Sequence, residues 1–237
     1  MKNIALTQEE IELILNNFKS QIDHGDWTFL QDKDEWTSLL EDPTFHNRYI
    51  SGDRFTIFKD AFAGFLLDNG IDIFDVSKIP ANYMRGNTYI FNVTIPERAT
   101  SIGSKAFANC INLKKLIINH SVKHIDSGMC MGCIQLNEVK LPSNCSDFDS
   151  SYAFFGCISL ETIVLPPTMK KIGKYCFAGS GLTSIDIPSS IDYVDKNAFD
   201  GCKELTEIHI DKHREEVEGV WHKDWNKNCS AEIFYKE

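Results

Sequence analysis

Two sets of residues have the types and spacing to do chemistry. His209, with Glu207, Asp211, His213 and His222 nearby, gathers imidazoles and carboxylates of the kind that hold a divalent metal. Cys110, Cys133, Cys157 and Cys202 recur at regular intervals, and thiolates at fixed spacing could bind zinc or cross-link. Neither set completes a site. His209 and His213 are four residues apart, as are His120 and His124, but that interval puts two side chains on one face only in a helix, and both pairs fall where a strand runs into a turn. Four thiols in a row cannot make the tetrahedron that zinc prefers. Ser180 fills the same slot in another unit, so a small inward side chain that satisfies turn backbone groups explains both residue types. Cys130, Cys145, Cys176 and Cys229 are scattered over other positions. No glycine-rich phosphate loop, nucleophile elbow or cysteine–histidine pairing is present. The expectation is a protein with no catalytic residues, no cofactor and no resident metal; the His209 group is the one cluster worth testing for a metal.

What positions these residues is a repeat. The leucines Leu113, Leu136, Leu160, Leu182 and Leu205 are 23, 24, 22 and 23 residues apart. Each precedes an alternating apolar pair: Leu116/Ile118, Val139/Leu141, Ile163/Leu165, Ile185/Ile187 and Ile208/Ile210. A period in the twenties with the pattern Leu-x-x-Leu-x-Leu is that of a leucine-rich solenoid, in which parallel strands stack coil on coil. Pro96, Pro142, Pro166 and Pro188 follow the second apolar residue, with Asn119 and Asp211 as substitutes. Proline lacks an amide proton and fixes its own φ, so it ends the strand at the same point in each coil.

The second half of the unit repeats as well. Residues 101–110, 171–180 and 193–202 align, each with an aromatic ring (Phe107, Phe177, Phe199) three residues before the Cys/Ser slot; Phe154 joins that ring column, and Cys130 is its outlier. Gly103 and Gly173 belong to this turn. The combined pattern, I-P-x-x-x-x-x-I-G-x-x-A-F-x-G-C-x-x-L, resembles the BspA-like leucine-rich repeat family over residues 79–210. The resemblance implies a curved array used for adhesion or protein contacts, with no catalytic motif to carry over. The expected fold class is α+β: a leucine-rich repeat solenoid with parallel strands on one face, preceded by a small helical amino-terminal domain. Residues 1–78 are assigned to that domain and 79–237 to the repeats, which close in an atypical, aromatic-rich cap around Trp221 and Trp225 and a weak last strand at residues 231–233.

The formal charge of −10 is uneven: residues 1–78 hold 7 Lys/Arg against 15 Asp/Glu, and residues 79–237 hold 17 against 19. Neither part has the basic stripe that nucleic-acid binding requires. Thr7 to Glu10 reads as a capping box that starts an amphipathic helix over residues 8–22, with Ile11, Ile14, Leu15, Phe18 and Ile22 on its apolar stripe. Further helices are expected at 34–40 and 54–68. Three such helices can cover the open end of the solenoid or form a separate binding or targeting module. With no 18-residue apolar segment and no early apolar run of signal-peptide length, the expectation is a cytoplasmic protein without a membrane span, with secretion or a cell-surface setting as the alternative.

Strand alternation decides what is left to touch a partner. The outward central column is Thr94, Ile117, Lys140, Val164, Asp186, His209 and Glu232; its neighbour is Asn92, Lys115, Glu138, Thr162, Ser184, Glu207 and Ser230. Apolar positions ringed by charge suit a protein partner. The candidate contact residues on the concave strand face are therefore Lys115, Ile117, Glu138, Lys140, Thr162, Val164, Ser184, Asp186, Glu207 and His209. The expected function is a non-enzymatic protein–protein interaction module; the alternatives are surface adhesion, or an inhibitor or decoy acting through the acidic amino-terminal domain.

Overall fold

Each repeat folds as a coil because its apolar residues recur where a short strand can bury them and its turn residues recur where the chain must reverse. A computed structural model describes residues 8–23, 62–64, 77–145 and 147–237. The chain divides into two compact units, residues 1–75 with Thr88–Ile90, and Val76–Asn87 with Phe91–Glu237.

In the first unit, helices α1 (Gln8–Asn17) and α2 (Lys19–Asp23) replace the single helix expected over 8–22. The interruption is local: the Phe18 amide still reaches the Ile14 carbonyl at 3.0 Å, and Ile11, Ile14 and Phe18 stay buried. The capping Thr7 and the helix expected at 34–40 lie outside the described residues, as does the helix expected at 54–68 apart from residues 62–64, which are helical.

The second unit is a parallel β-solenoid. Its strands in chain order are β1 (Lys78–Ile79), β2 (Asn92–Thr94), β3 (Ser101–Ile102), β4 (Lys115–Ile117), β5 (His124–Ile125), β6 (Glu138–Lys140), β7 (Asp147–Phe148), β8 (Lys171–Ile172), β9 (Ser184–Ile187), β10 (Tyr193–Val194), β11 (Glu207–Ile210) and β12 (Glu232–Tyr235). The longer strands stack as β2-β4-β6 and β9-β11-β12, all parallel. A second ladder of two-residue strands, which the repeat pattern did not disclose, runs β1-β3-β5-β7 and β8-β10. Between the ladders the inward residues form continuous apolar columns: Leu113, Leu136, Leu160 and Leu182 are fully buried, with Leu205 at 1%.

The ring column is stacked. Phe154 and Phe177 lie 5.6 Å apart at 6°, Phe177 and Phe199 5.6 Å apart at 12°, and Trp225 meets Phe199 edge-on at 5.9 Å. Trp221 stands against Trp225 at 88°, so two indoles terminate the column where the repeats stop. The chain turns as the prolines demand: the amides of Ala99, Met169 and Ile191 donate to the carbonyls of Pro96, Pro166 and Pro188, each at 3.0 Å. Asn119 makes its turn with its side chain, whose Oδ1 accepts from the Ser121 amide at 2.6 Å, while its Nδ2 donates back to the preceding coil, to the Ile95 carbonyl at 2.7 Å and also to that of Pro96.

Both ladders break at the same coil. No strand forms over residues 161–165, between β6 and β9, and none links β7 to β8. The coil that leads into residues 161–165 carries one residue more than the usual 23, Leu136 to Leu160 being 24 residues, and the next carries one fewer, Leu160 to Leu182 being 22. An extra residue throws the backbone out of register with the coils on either side and ends the pairing, as a bulge does. Val139 and Leu141, expected inward, are consequently only half-buried.

Candidate functional site

The cysteine row is structural. The thiols of Cys110, Cys133, Cys157 and Cys202 donate to the carbonyls of Met84, Phe107, Cys130 and Phe177 at 3.0 to 3.2 Å, and the Ser180 hydroxyl lies 3.5 Å from Cys202 Sγ. Each thiol thus ties its coil to the one before. All eight cysteines are free, and burial pushes the thiols of Cys130, Cys157, Cys176 and Cys202 up from their usual range, which keeps them protonated and unreactive.

The histidine group does not converge. His209 Nε2 lies 3.0 Å from Glu207 Oε2, but Asp211 pairs with Lys236 at 3.1 Å, the His213 amide donates to Glu216, and His222 Nδ1 accepts from the Asp224 amide. Among the described residues no three metal-type side chains come together.

The outward columns give a better-formed site. Lys115 and Glu138 sit opposite each other on β4 and β6 and join through a 2.7 Å ion pair. Ile117 is half-buried between Thr94 and Lys140, its ladder partners. Lys140 is exposed and has no ion pair among the described residues. Thr162 and Val164 lie in the segment 161–165 that forms no strand, tied to the next coil where the Thr183 amide donates to the Glu161 carbonyl at 3.0 Å, and Val164 is 84% exposed. Beyond the break, Ser184 pairs with Glu207 and Asp186 with His209 in the β9–β11 register.

The last strand corrects the expected columns. β12 pairs Glu207 with Glu232 and His209 with Phe234, so Glu232 closes the neighbouring column, where Ser230 was expected, and Phe234 closes the central one, where Glu232 was expected. The step from His209 to Phe234 is 25 residues instead of 23, because helix α3 (Arg214–Val217) and the indole turn lengthen the closing coil. Phe234 stacks on His209, with ring centroids 4.9 Å apart and planes 13° apart, and remains 38% exposed. The alternating run Ile233, Phe234, Tyr235 was the available signal; the slip in period hid it.

Val164, Asp186, His209 and Phe234 line an open groove of about 410 Å³ whose rim is made by Pro188 and the Asp211–Lys236 pair. Lys236, hydrogen-bonded to Asp211, holds that carboxyl below its usual range. The groove offers apolar steps, Val164 and Phe234, with the charges of Asp186 and the Asp211–Lys236 pair beside them.

No curated protein matches the chain. Among solved structures it is similar to a leucine-rich repeat protein of T. pallidum (26% identity over 57% of this chain and 65% of that one, TM-score 0.51). It is also similar to a leucine-rich cell surface protein of Faecalibacterium prausnitzii (28% identity, 60% and 44% of the two chains, TM-score 0.46) and to the pneumococcal vaccine antigen PcpA (23%, 62% and 41%, TM-score 0.48). The chain thus spans 65% and 44% of the first two relatives' lengths. The profile of the BspA type leucine-rich repeat region matches residues 56–152 and 150–221, in six copies. It begins ahead of Ile79, where the motif was first read. The earlier signal is Ala61-Phe62-Ala63-Gly64, which spells the ring-and-turn segment again 22 residues before Met84. Phe62 is fully buried, and a Cβ at Gly64 would stand 2.4 Å from the Tyr89 carbonyl. Repeat arrays of this kind commonly serve as protein-interaction or adhesion modules and are typically not enzymes. Among the described residues no helix is long and apolar enough to cross a membrane. With most of the chain matched and the coils stacked as the repeat demands, this protein belongs to the BspA-type leucine-rich repeat family.

Proposed function

We propose that the chain is a non-enzymatic interaction module that docks a protein partner on its long-strand face, the concave side of such an array. The observation that carries this reading is the groove between Val164 and Phe234. It exposes two large apolar side chains on a face where the other outward residues, the half-buried Ile117 apart, are charged or polar. Exposed apolar surface beside unpaired charge costs solubility and adds nothing to the core, which is the mark of a contact surface. Lys140 and Asp186, on either side of the broken coil, supply charges of opposite sign that would orient a partner.

The test is a paired charge reversal, Lys140→Glu with Asp186→Lys, in the full chain. Capture of the native partner, identified by mass spectrometry, should fall about tenfold while the melting temperature stays within about 2 °C, because neither side chain supports the core. Undiminished capture would remove the long-strand face from consideration.

A further inference from the structure

The groove's charges restrict what can lie in it. Glu207 is engaged by His209 at 3.0 Å and Asp211 by Lys236 at 3.1 Å, whereas the exposed Asp186 carboxylate has no ion pair among the described residues. Val164 flanks it on one side; on the other, one ladder step away, is His209, and two steps away Phe234. An uncompensated carboxylate set between apolar surfaces complements a cation carried among apolar neighbours. The same end of the array already uses that chemistry internally: the Arg214 guanidinium lies 4.9 Å from the centroid of the Tyr235 ring and 3.5 Å from Glu218.

Building on the docking reading above, we infer that the groove takes an extended basic segment of a partner protein. An arginine or lysine side chain pairs with Asp186, and apolar side chains rest on Val164 and on the His209–Phe234 stack. Ladder steps of about 4.8 Å put Phe234 about 10 Å from Asp186, the reach of about three residues of extended peptide. The cation and the residue that meets Phe234 therefore lie two or three positions apart. Among the described residues the groove's own cation, Lys236, is engaged by Asp211, and Lys140 lies across the broken coil and outside the groove.

The test is fluorescence anisotropy of the full chain with two labelled peptides, Leu-Arg-Leu-Arg-Leu and Leu-Glu-Leu-Glu-Leu, at low salt. The arginine peptide should bind at least about tenfold tighter. Asp186→Lys and Phe234→Ala should each weaken it about fivefold or more, while Asp126→Lys, the same charge change in the turn after β5, should alter it less than about twofold. Equal losses in Asp186→Lys and Asp126→Lys would reduce the effect to net charge and overturn the inference, as would absence of binding. A preference for the glutamate peptide, lost in Lys140→Glu, would overturn the basic segment while leaving the docking face standing. Arginine-peptide binding that survives both groove variants would overturn both.

Discussion

The hydroxyl of Ser150 accepts a hydrogen bond from the Gly173 amide at 2.8 Å and donates to the Lys171 carbonyl at 3.1 Å. In the other coils the corresponding amide donates to main chain: Gly103 to Ile79, Asp126 to Ile102, Asp149 to Ile125 and Asp195 to Ile172, at 2.8 to 2.9 Å. The 24-residue coil has its extra residue in this turn, and Ser150, 1% exposed, replaces with a side chain the carbonyl that the ladder withholds. Gly173 itself admits nothing larger, since a Cβ there would stand 2.5 Å from the Ser151 amide nitrogen.

Ser150→Ala should therefore cost about 1 to 3 kcal/mol, the penalty for a buried amide left without its acceptor. Urea unfolding read by circular dichroism measures it. A change under about 0.5 kcal/mol would show that the broken ladder needs no such substitute.

Phe177 is stacked between Phe154 and Phe199 at 5.6 Å on both sides. Phe177→Ala should destabilise by about 3 to 5 kcal/mol, because neighbouring coils are fixed by their ladders and cannot collapse into the cavity. Equilibrium unfolding checks this; a loss near 1 kcal/mol would mean the coils can close up.

In the thiol row, Cys133→Ser should be tolerated better than Cys133→Val, since serine can still donate to the Phe107 carbonyl and already occupies the slot at Ser180. The difference should be about 1 kcal/mol, one hydrogen bond. In the native protein an aromatic disulfide reagent should reach Cys229, the half-buried one, well before the seven buried thiols, and all eight after denaturation. Early reaction of several thiols would contradict the packing.

Asp195 titrates with its environment. Burial alone would raise its carboxyl, but the hydrogen bond and charge of Lys171, 2.9 Å away, and the Lys196 amide outweigh it and hold the group below 3.8. A depressed folded value means stability that is fully present above the unfolded value and lost as pH falls through the folded one. Lys171→Met should thus lower stability at neutral pH and flatten its decline below pH 3.8. Thermal melts from pH 7 downward should show the two proteins converging in acid; parallel curves would remove the pair as a contributor.

Val164→Asp should leave stability within about 0.5 kcal/mol, because the side chain is 84% exposed and residues 161–165 form no strand. Partner capture should nevertheless fall. A melting temperature lowered by many degrees would show that Val164 packs more than its exposure implies.

The repeat, the inward columns and the cysteine slot could all be read from residue order. A solenoid's contacts run between equivalent positions of adjacent coils, so a fixed period in the chain is a fixed neighbour in space. Leu113 above Leu136 above Leu160 follows from counting. The two-residue ladder through Ile79, Ile102 and Ile125 was not legible, because a strand of two residues has no alternation to display.

Departures from the period needed the structure. One added residue near Ser150 and two before Phe234 change which side chains meet, and a sequence does not say whether an insertion loops out, breaks a ladder or shifts a strand. That depends on whether the displaced backbone finds other hydrogen-bond partners. Ser150 supplies one for Gly173 where β7 and β8 do not pair, and Val164, in the strandless segment between them, is exposed. At the far end β12 regains its register on β11 and brings Phe234 beneath His209. The residue order determined the coils, while tertiary packing decided where they fail to match, and the groove lies between those two places.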